Sequence, residues 1–498
     1  MKKIKIAFST LAVVSMLLTT TSCNDEYLDT VPTDAVGSST VFSTADNLMT
    51  SINGMIRSMY TRQNESQGQN GYTAQMIISD VMGDDVIFPA NGNGWFVSEL
   101  RWVSQANDAS STVSYPWTYW YGIVKQANNI ITYGEGASGD QNLKEKAIGQ
   151  AYAFRAFANF QLVQTYAKRY QQGAPNTDLG IILRTDPQDL DPKARATVAE
   201  TYAQIWADLD NAERLLTGKT KINNSHFGVD NVLGLKARVA LVQQDYTKAA
   251  QYASVARAGK RLMTQAEYTQ GFNDYTNPEW MWGITIQSDQ SDFFGNFMAY
   301  MSRNYNSTQI RSAPKVMNVN LFNAFPSTDV RTQVVKPDGQ HPELELASNY
   351  LLVNYTSQKF LTTGRNNNVA LGDVVFMRAS EMYLIEAEAK YHLGDEAGSK
   401  AVLGELVAAR DSNFTGFTTT GADYLNEVLL NRRLELWGEG FRFFDLKRLN
   451  QGLNRTGTNQ VASVINNLYE VPAGSPKWQW LIPRGEINSN PLCEQNPS

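Results

Sequence analysis

Two segments of the sequence set aromatic side chains among amides and charged groups. The first follows the run Asn91-Gly92-Asn93-Gly94, which predicts an exposed turn, and the second lies between residues 289 and 305. An aromatic ring can stack on the apolar face of a pyranose, while amides, carboxylates and guanidinium groups bond its hydroxyls. This composition predicts carbohydrate binding, although each ring could instead anchor only its own loop. The candidate ligand-binding residues are Trp95, Phe96, Phe293, Phe294, Tyr300, Arg303 and Tyr305.

Paired carboxylates would be needed if the protein hydrolysed a glycan. Glycosidases place two acids roughly 5 to 10 Å apart across one bond. Asp84 and Asp85 are adjacent in sequence, and adjacent side chains rarely converge on one substrate. Glu435 follows Arg432 by three residues on one predicted helix, so we expect it to form an ion pair in a structural network, with Glu439 close by. We therefore predict no catalytic residues, while a pair drawn from distant segments remains an alternative.

Metal, cofactor and nucleic-acid chemistry have little support in this sequence. Its three histidines lie far apart without an HExxH pair, and its two cysteines are too few for a zinc site of the CxxC…CxxC kind. The formal net charge is −6, and no basic tract follows the first few residues. We predict neither a metal nor a cofactor, and no nucleic-acid partner.

The first 22 residues resemble a secretion signal. Three lysines among the first five residues precede a mainly apolar stretch of 13 residues, 6–18. A membrane-spanning helix needs about 20, so residues 1–22 are predicted to be a signal peptide. The following Thr19-Thr20-Thr21-Ser22-Cys23 resembles a bacterial lipobox, which predicts cleavage before Cys23 and lipidation, including palmitate, on its sulfur. The alternative is ordinary secretion with an unmodified cysteine.

Helical periodicity dominates the sequence on either side of a central segment. Apolar residues recur at spacings of three and four over 142–170 and 197–216, which predicts two long helices. Two further helix pairs are predicted to turn at Gln244-Asp245 and Gly394-Asp395, with the spacing of tetratricopeptide (TPR) repeats. The fold class is therefore mainly α, a TPR-like helical scaffold with few short strands.

Composition divides the remaining chain into three parts. Residues 23–270 and 373–498 carry the TPR-like helices, whereas 271–372 form a loop-rich, aromatic-rich insert predicted to face the ligand. An amphipathic helix within 426–449 is expected to break at Gly438 and Gly440. The proline-containing tail is expected to be extended or turned rather than helical.

Six motifs in order resemble the SusD/RagB family of outer-membrane nutrient-binding lipoproteins. They are SCNDEYLD, YAFRAFANFQLVQTYA, IWADLDNAERLL, RASEMYLIEAEAKYHLGD, RRLELWGEGFRFFDLKRL and the IPRGEINSNP…QNP tail. One departure is Asn431, where a glutamate commonly precedes the two arginines. The resemblance implies about four TPR-like helix pairs, a loop-rich face that binds glycan, and a SusC-like TonB-dependent outer-membrane transporter as partner. It also implies a lipid-anchored protein of the cell outer membrane that faces the extracellular side and takes part in glycan uptake.

Two other functions remain open from the sequence. A lipoprotein glycosidase would release reducing sugar from its substrate. A TPR scaffold that binds only protein would have no affinity for any glycan, and it would leave the aromatic-rich loops without a role.

Overall fold

The structure, a computed structural model, describes residues 41–291, 296–364 and 370–498. It is mainly helical with a few short strands, which confirms the predicted fold class. Cys23, Phe293 and Phe294 lie outside the described residues. None of the described helices combines the length and the apolar character needed to cross a bilayer.

The part of the chain before the insert is built almost entirely from helices. The two long helices predicted from periodicity are confirmed to within a few residues at each end. Their first turns are fixed by side chains: Asp140 accepts a hydrogen bond from the backbone of Leu143, and Thr197 forms a capping box with Glu200. The helices are α1 Ala45–Ser58, α2 Gly71–Val81, α3 Val97–Leu100, α4 Ser111–Gly134, α5 Gln141–Tyr166, α6 Val198–Leu216, α7 Val229–Gln243 and α8 Tyr246–Ala256.

Short elements make up the insert, as its composition predicted. Its helices are α9 Gln265–Tyr268 at the border, then α10 Met298–Met301, α11 Thr308–Ser312 and α12 Val319–Phe322. The strands are β1 Val86–Ile87, β2 Trp280–Ile284, β3 Val316–Met317, β4 Val335–Lys336, β5 Thr356–Ser357 and β6 Val374–Arg378. One antiparallel sheet has the order β1-β3-β5-β4, and β2 pairs with β6. The second pairing closes the insert at its base, because β2 and β6 lie near its two ends.

The C-terminal part returns to helices. They are α13 Ala379–His392, α14 Glu396–Arg410, α15 Gly421–Glu435, α16 Arg442–Arg448 and α17 Arg484–Ser489, with a hairpin of β7 Leu453–Asn454 and β8 Glu470–Val471. The predicted break between α15 and α16 is confirmed. Gly440 is required there, because a Cβ would lie 2.7 Å from Cα of Met76 on α2.

The predicted helix pairs are present on both sides of the insert. The turn between α7 and α8 ends at Asp245, whose carboxylate accepts a hydrogen bond from the backbone of Lys248, 3.1 Å away. Asp395 does the same for Gly398, at 2.8 Å, between α13 and α14. Asp is favoured at both positions because its side chain satisfies a backbone donor that the first helical turn leaves free.

The tail departs from its predicted conformation at one point. Residues 484–489 form the short helix α17, whereas the three prolines predicted an extended or turned tail. Pro483 has a φ of −56°, which suits the entry to a helix, and it is the N-cap residue of α17. The proline therefore begins this helix rather than preventing it.

Most apolar side chains of the described residues belong to one large buried cluster, with a smaller one around α13, α14 and α15. Trp117 and Trp120 of α4 are buried in the larger cluster, and so is Trp282 of β2. Tyr121 is half-buried, with its hydroxyl donating to the carbonyl of Ile182 at 2.8 Å.

Candidate functional site

The polar turn 91–94 is exposed and carries Trp95 at its end. Two side chains from other segments fix this turn. The amide oxygen of Gln309, on α11, accepts a hydrogen bond from the backbone of Asn93 at 2.9 Å. Arg101 donates from Nη2 to the side-chain oxygen of Asn91 at 3.2 Å. The turn is exposed, as predicted, and it is also held in place.

Trp95 is half-buried, and its indole is supported from two sides. The ring of Tyr300 lies 6.2 Å away between centroids, at an angle of 65°. Gly68 lies against the indole so closely that a Cβ there would be 3.1 Å from Cε3, and its φ of +75° also favours glycine. The indole is therefore positioned before any ligand arrives, while part of it stays open to solvent.

Phe96 and Tyr300 lie together with Trp95 but are themselves buried, with 6% and 3% of their surface exposed. Their rings meet edge to face at 5.1 Å and 85°. The sequence predicted that these three rings, among six aromatic candidates, would touch a ligand. The structure instead places Phe96 and Tyr300 behind Trp95, where they support it.

Arg303 and Tyr305, which were also predicted to bind ligand, are buried, with 1% and 0% of their surface accessible. The segment 350–362 contacts Arg303: the backbone of Arg303 donates to the carbonyl of Phe360 at 3.0 Å, and its Nη2 to that of Leu351 at 3.0 Å. The other guanidinium nitrogens, Nε and Nη1, are buried without a partner. Burial lowers the pKa of Arg303 to about 10.

Several polar residues near Trp95 were not predicted from the sequence. They include Gln309, Arg311 and Lys315, which have no adjacent aromatic residue in the sequence. The ammonium of Lys315 is buried 4.3 Å from the ring of Phe88 and donates to the carbonyl of Ala313 at 3.1 Å. Burial lowers its pKa to about 7.

We call residues 60–70, 88–101, 300–315 and 350–352 together the Trp95 surface.

The carboxylates considered for hydrolysis are all engaged in ion pairs. Asp84 lies 2.5 Å from Arg442, and Asp85 lies 2.6 Å from Arg433. Glu439 lies 2.6 Å from Lys359. Because each is held by a cation of another segment, none stands free to donate or accept a proton in a cleft.

Glu435 is paired as well, although not with the predicted partner. Burial alone would raise its pKa, but Arg410, Arg378 and Arg331 outweigh burial and hold the pKa well below its usual range. The predicted partner, Arg432, instead lies 2.8 Å from Asp445 on α16. Glu435 points into the molecule towards β6 and α14, whereas Arg432 faces the next helix. The structural network is confirmed, and the assigned pair within it is wrong.

The part of the chain that the structure describes also has cavities outside the Trp95 surface. Its histidine, cysteine, aspartate and glutamate side chains form no group of three or more suited to a metal ion. A cavity of about 490 Å³ lies between α1 and α4, and its wall includes Tyr115 and Tyr119 beside polar residues such as Gln63 and Asn64.

Comparison with known proteins gives one consistent result. The model of the SusD family matches residues 117–498. The SusD-like protein P2 of Formosa agariphila is 24% identical over 494 residues, covering 92% of this chain and 93% of that protein.

Solved structures show the same fold. A SusD-like carbohydrate binding protein from Bacteroides vulgatus has a TM-score of 0.78 at 24% identity, covering 91% of this chain and 98% of that one. Surface glycan-binding protein A from Bacteroides thetaiotaomicron, in complex with laminarihexaose, has a TM-score of 0.68 at 18% identity, covering 91% and 99%.

Proposed function

The chain belongs to the SusD family, and on this premise we propose that it binds oligosaccharide or polysaccharide at the Trp95 surface. The observation that carries the proposal is the half-exposed indole of Trp95 on a turn held by Gln309 and Arg101. A ring fixed in advance loses little conformational entropy when a sugar stacks on it. The laminarihexaose complex of a protein with the same fold supports a glycan as the ligand.

We further propose that this protein is a lipoprotein of the outer membrane, anchored through Cys23 and facing the outside of the cell. It would deliver glycan to a SusC-like TonB-dependent transporter. Support comes from the basic and apolar N-terminus that ends in Thr-Ser-Cys, and from the resemblance of the whole chain to this family. Lipid chains on one cysteine hold a protein at a membrane without a spanning helix.

Binding without turnover is the activity that we propose. Its support is the engagement of Asp84, Asp85, Glu435 and Glu439 in ion pairs. A glycosidase would need two free acids across the scissile bond. A scaffold that binds only protein has no specific observation in its favour.

The test of the proposed site is Trp95→Ala, measured by calorimetry with a panel of glycans and by thermal melting. Aromatic contacts are worth about 1 kcal/mol beyond the area they bury, and tenfold in Kd corresponds to about 1.4 kcal/mol. We expect affinity to fall roughly tenfold or more when this contact and the buried area are both lost.

A matched control for this variant is Trp206→Ala. Trp206 is also half-buried, but it lies on α6, where its ring contacts Tyr252 at 5.9 Å. It should lower the melting temperature without changing glycan affinity. Unchanged affinity in the Trp95 variant would remove Trp95 from the site. Affinity lost together with a lowered melting temperature would favour the loop-anchoring alternative.

A further inference from the structure

Basic side chains outnumber acidic ones on the Trp95 surface, although the chain as a whole is acidic. Its formal charge is +3, against −6 for the whole chain. The five basic residues are Arg62, Arg101, Arg303, Arg311 and Lys315, and the two acidic ones are Glu65 and Glu99. Asp289 borders the surface near Tyr60, and counting it still leaves an excess of positive charge.

Four of these five cations have no carboxylate within 4.0 Å among the described residues, and they donate hydrogen bonds to neutral oxygens. They are Arg101, Arg303, Arg311 and Lys315. Arg311 donates from Nη1 to the side chain of Asn306 at 2.6 Å. Arg303 and Lys315 donate only to backbone carbonyls. Arg101 donates to Asn91 and to the carbonyls of Val464 and Ser463.

Most arginines buried elsewhere in the described chain have their donors satisfied, although Nη1 of Arg432 is also buried without a partner. Arg378 and Arg410 lie within 3 Å of carboxylates. Arg455 has no acidic partner but makes four hydrogen bonds to backbone carbonyls. Arg303 alone among these leaves Nε and Nη1 buried without an acceptor. Uncompensated cations are costly in a protein interior, so their presence around one surface suggests that a ligand supplies the missing charge.

The four cations lie on two segments that contact the turn carrying Trp95. Arg101 bonds its first residue, Asn91, and Gln309, two residues before Arg311, bonds its third. Leu351 connects Arg311 to Arg303. Its backbone N–H donates to the carbonyl of Arg311 at 2.8 Å, and its carbonyl accepts a hydrogen bond from the guanidinium of Arg303. Arg101 and Arg311 are half-exposed and within reach of a ligand in solution.

From this arrangement we propose that the Trp95 surface takes acidic glycans, meaning oligosaccharides that carry carboxylate or sulfate groups. The inference rests on the proposed carbohydrate binding and adds the chemical class of the ligand. Trp95 supplies stacking, which neutral and acidic sugars share. Arg101 and Arg311 supply charge-assisted hydrogen bonds, for which the guanidinium fork is suited to both acid groups. Arg303 strengthens the attraction from within, where charges are weakly screened.

The experiment compares matched pairs of glycans by calorimetry on the purified protein. One pair is oligogalacturonate and its neutral methyl ester, and the other is a sulfated galactan oligosaccharide and its desulfated form. We expect the acidic member of at least one pair to bind tenfold or more tightly than its neutral form. This preference should shrink at about 0.5 M NaCl, where the screening length falls to a few ångströms. The pair that shows it distinguishes carboxylate from sulfate.

Arg311→Gln and Arg214→Gln form a matched pair of variants. Arg214 is an exposed arginine of α6 that likewise bonds an asparagine, Asn211, and lies outside the Trp95 surface. We expect Arg311→Gln to reduce the preference for the acidic member several-fold, chiefly by weakening the binding of that member. Arg214→Gln should leave the preference as it was.

Each result bears on the proposal. Neutral members that bind as tightly as acidic ones would overturn the acidic class and leave carbohydrate binding in place. Failure of every glycan to bind would overturn both. Equal loss of preference in the two arginine variants would show that overall charge, and not this surface, attracts the acidic ligand.

Discussion

Cys493 shows at the residue scale how burial controls reactivity. The side chain is 6% exposed, and burial raises the pKa of its thiol to about 11, outweighing the nearby Arg195. Since the thiolate is the reactive form, we expect no reaction with a disulfide reagent at pH 8 while the protein is folded. In denaturant, protein isolated from membranes should yield one thiol if Cys23 is acylated. Two thiols would contradict lipidation of Cys23. A disulfide between Cys23 and Cys493 would contradict both the lipidation of Cys23 and the free thiol of Cys493.

The Trp95 surface shows which site residues can be predicted from sequence. The run 91–94 predicted an exposed turn, and Trp95 beside it is half-exposed. Tyr300, Arg303 and Tyr305 have equally polar neighbours in sequence, yet they are buried. For Arg303, the segment 350–362 supplies hydrogen-bond acceptors at Leu351 and Phe360. These acceptors come from about fifty residues further along the chain. Local composition therefore identified the surface but not which of its side chains reach solvent.

At the scale of elements, Lys447 connects α16 to the carboxyl end of α5. Its ammonium donates to the carbonyls of Gln164 and Ala167 at 2.6 and 2.7 Å. Cations are favoured at this end of a helix, where the last carbonyls lack partners. Burial nevertheless lowers the pKa of Lys447 from 10.5 to about 7. The helix end is thus stabilised by a lysine that loses its proton easily.

This arrangement predicts a dependence of stability on pH. Between about pH 7 and 10.5 the unfolded chain keeps a proton on Lys447 that the folded chain has lost. The free energy of unfolding contributed by this group therefore rises with pH across that window, by at most about 1.4 kcal/mol per pH unit. We expect Lys447→Met to remove this rise, as measured by urea denaturation at pH 7, 8, 9 and 10. The exposed Lys477→Met is the control, and an identical slope in both variants would count against the assignment.

Secondary structure was predictable where it depends on local periodicity, and less so where it depends on distant pairing. The helices expected over 142–170 and 197–216 are Gln141–Tyr166 and Val198–Leu216. Both have apolar residues at helical spacing and a capping side chain at the start. The pairing of β2 with β6 joins segments about ninety residues apart, so no local pattern specifies it. The helix α17 was missed because a proline beside a helix start resembles one that breaks a helix.

At the scale of the whole molecule, a buried ionic network joins segments that are far apart in sequence. Arg378 of β6 lies 2.9 Å from Glu435 of α15 and 2.7 Å from Glu439. Arg410 of α14 lies 2.9 Å from both Glu435 and Glu279, which directly precedes β2. The network thus connects the base of the insert to the C-terminal helices. Because the insert contributes much of the Trp95 surface, this connection also fixes where that surface lies on the helical scaffold.

Glu435→Gln tests this role. The variant keeps the shape of the side chain but removes a charge that Arg331, Arg378 and Arg410 share, which leaves buried cations uncompensated. Breaking a buried pair in this way costs about 3–5 kcal/mol, so we expect a large fall in the free energy of unfolding. Glu427→Gln on the same helix is the matched control, since Glu427 is half-exposed and has no ion pair among the described residues; it should change stability by less than about 0.5 kcal/mol.

The shape of the denaturation curve shows whether the ionic network stabilises the whole molecule or only the residues around Glu435. If the network holds the insert to the helices, the denaturation curve of Glu435→Gln should resolve into two steps or shift as a whole to lower denaturant. Tryptophan fluorescence would follow the ten tryptophans, which include Trp280 and Trp282 of β2 at the base of the insert, and circular dichroism would follow the helices. Coincident curves at the wild-type midpoint would show that the other carboxylates compensate for Glu435. The network would then align these segments without adding to their stability, since buried ion pairs do not always add stability.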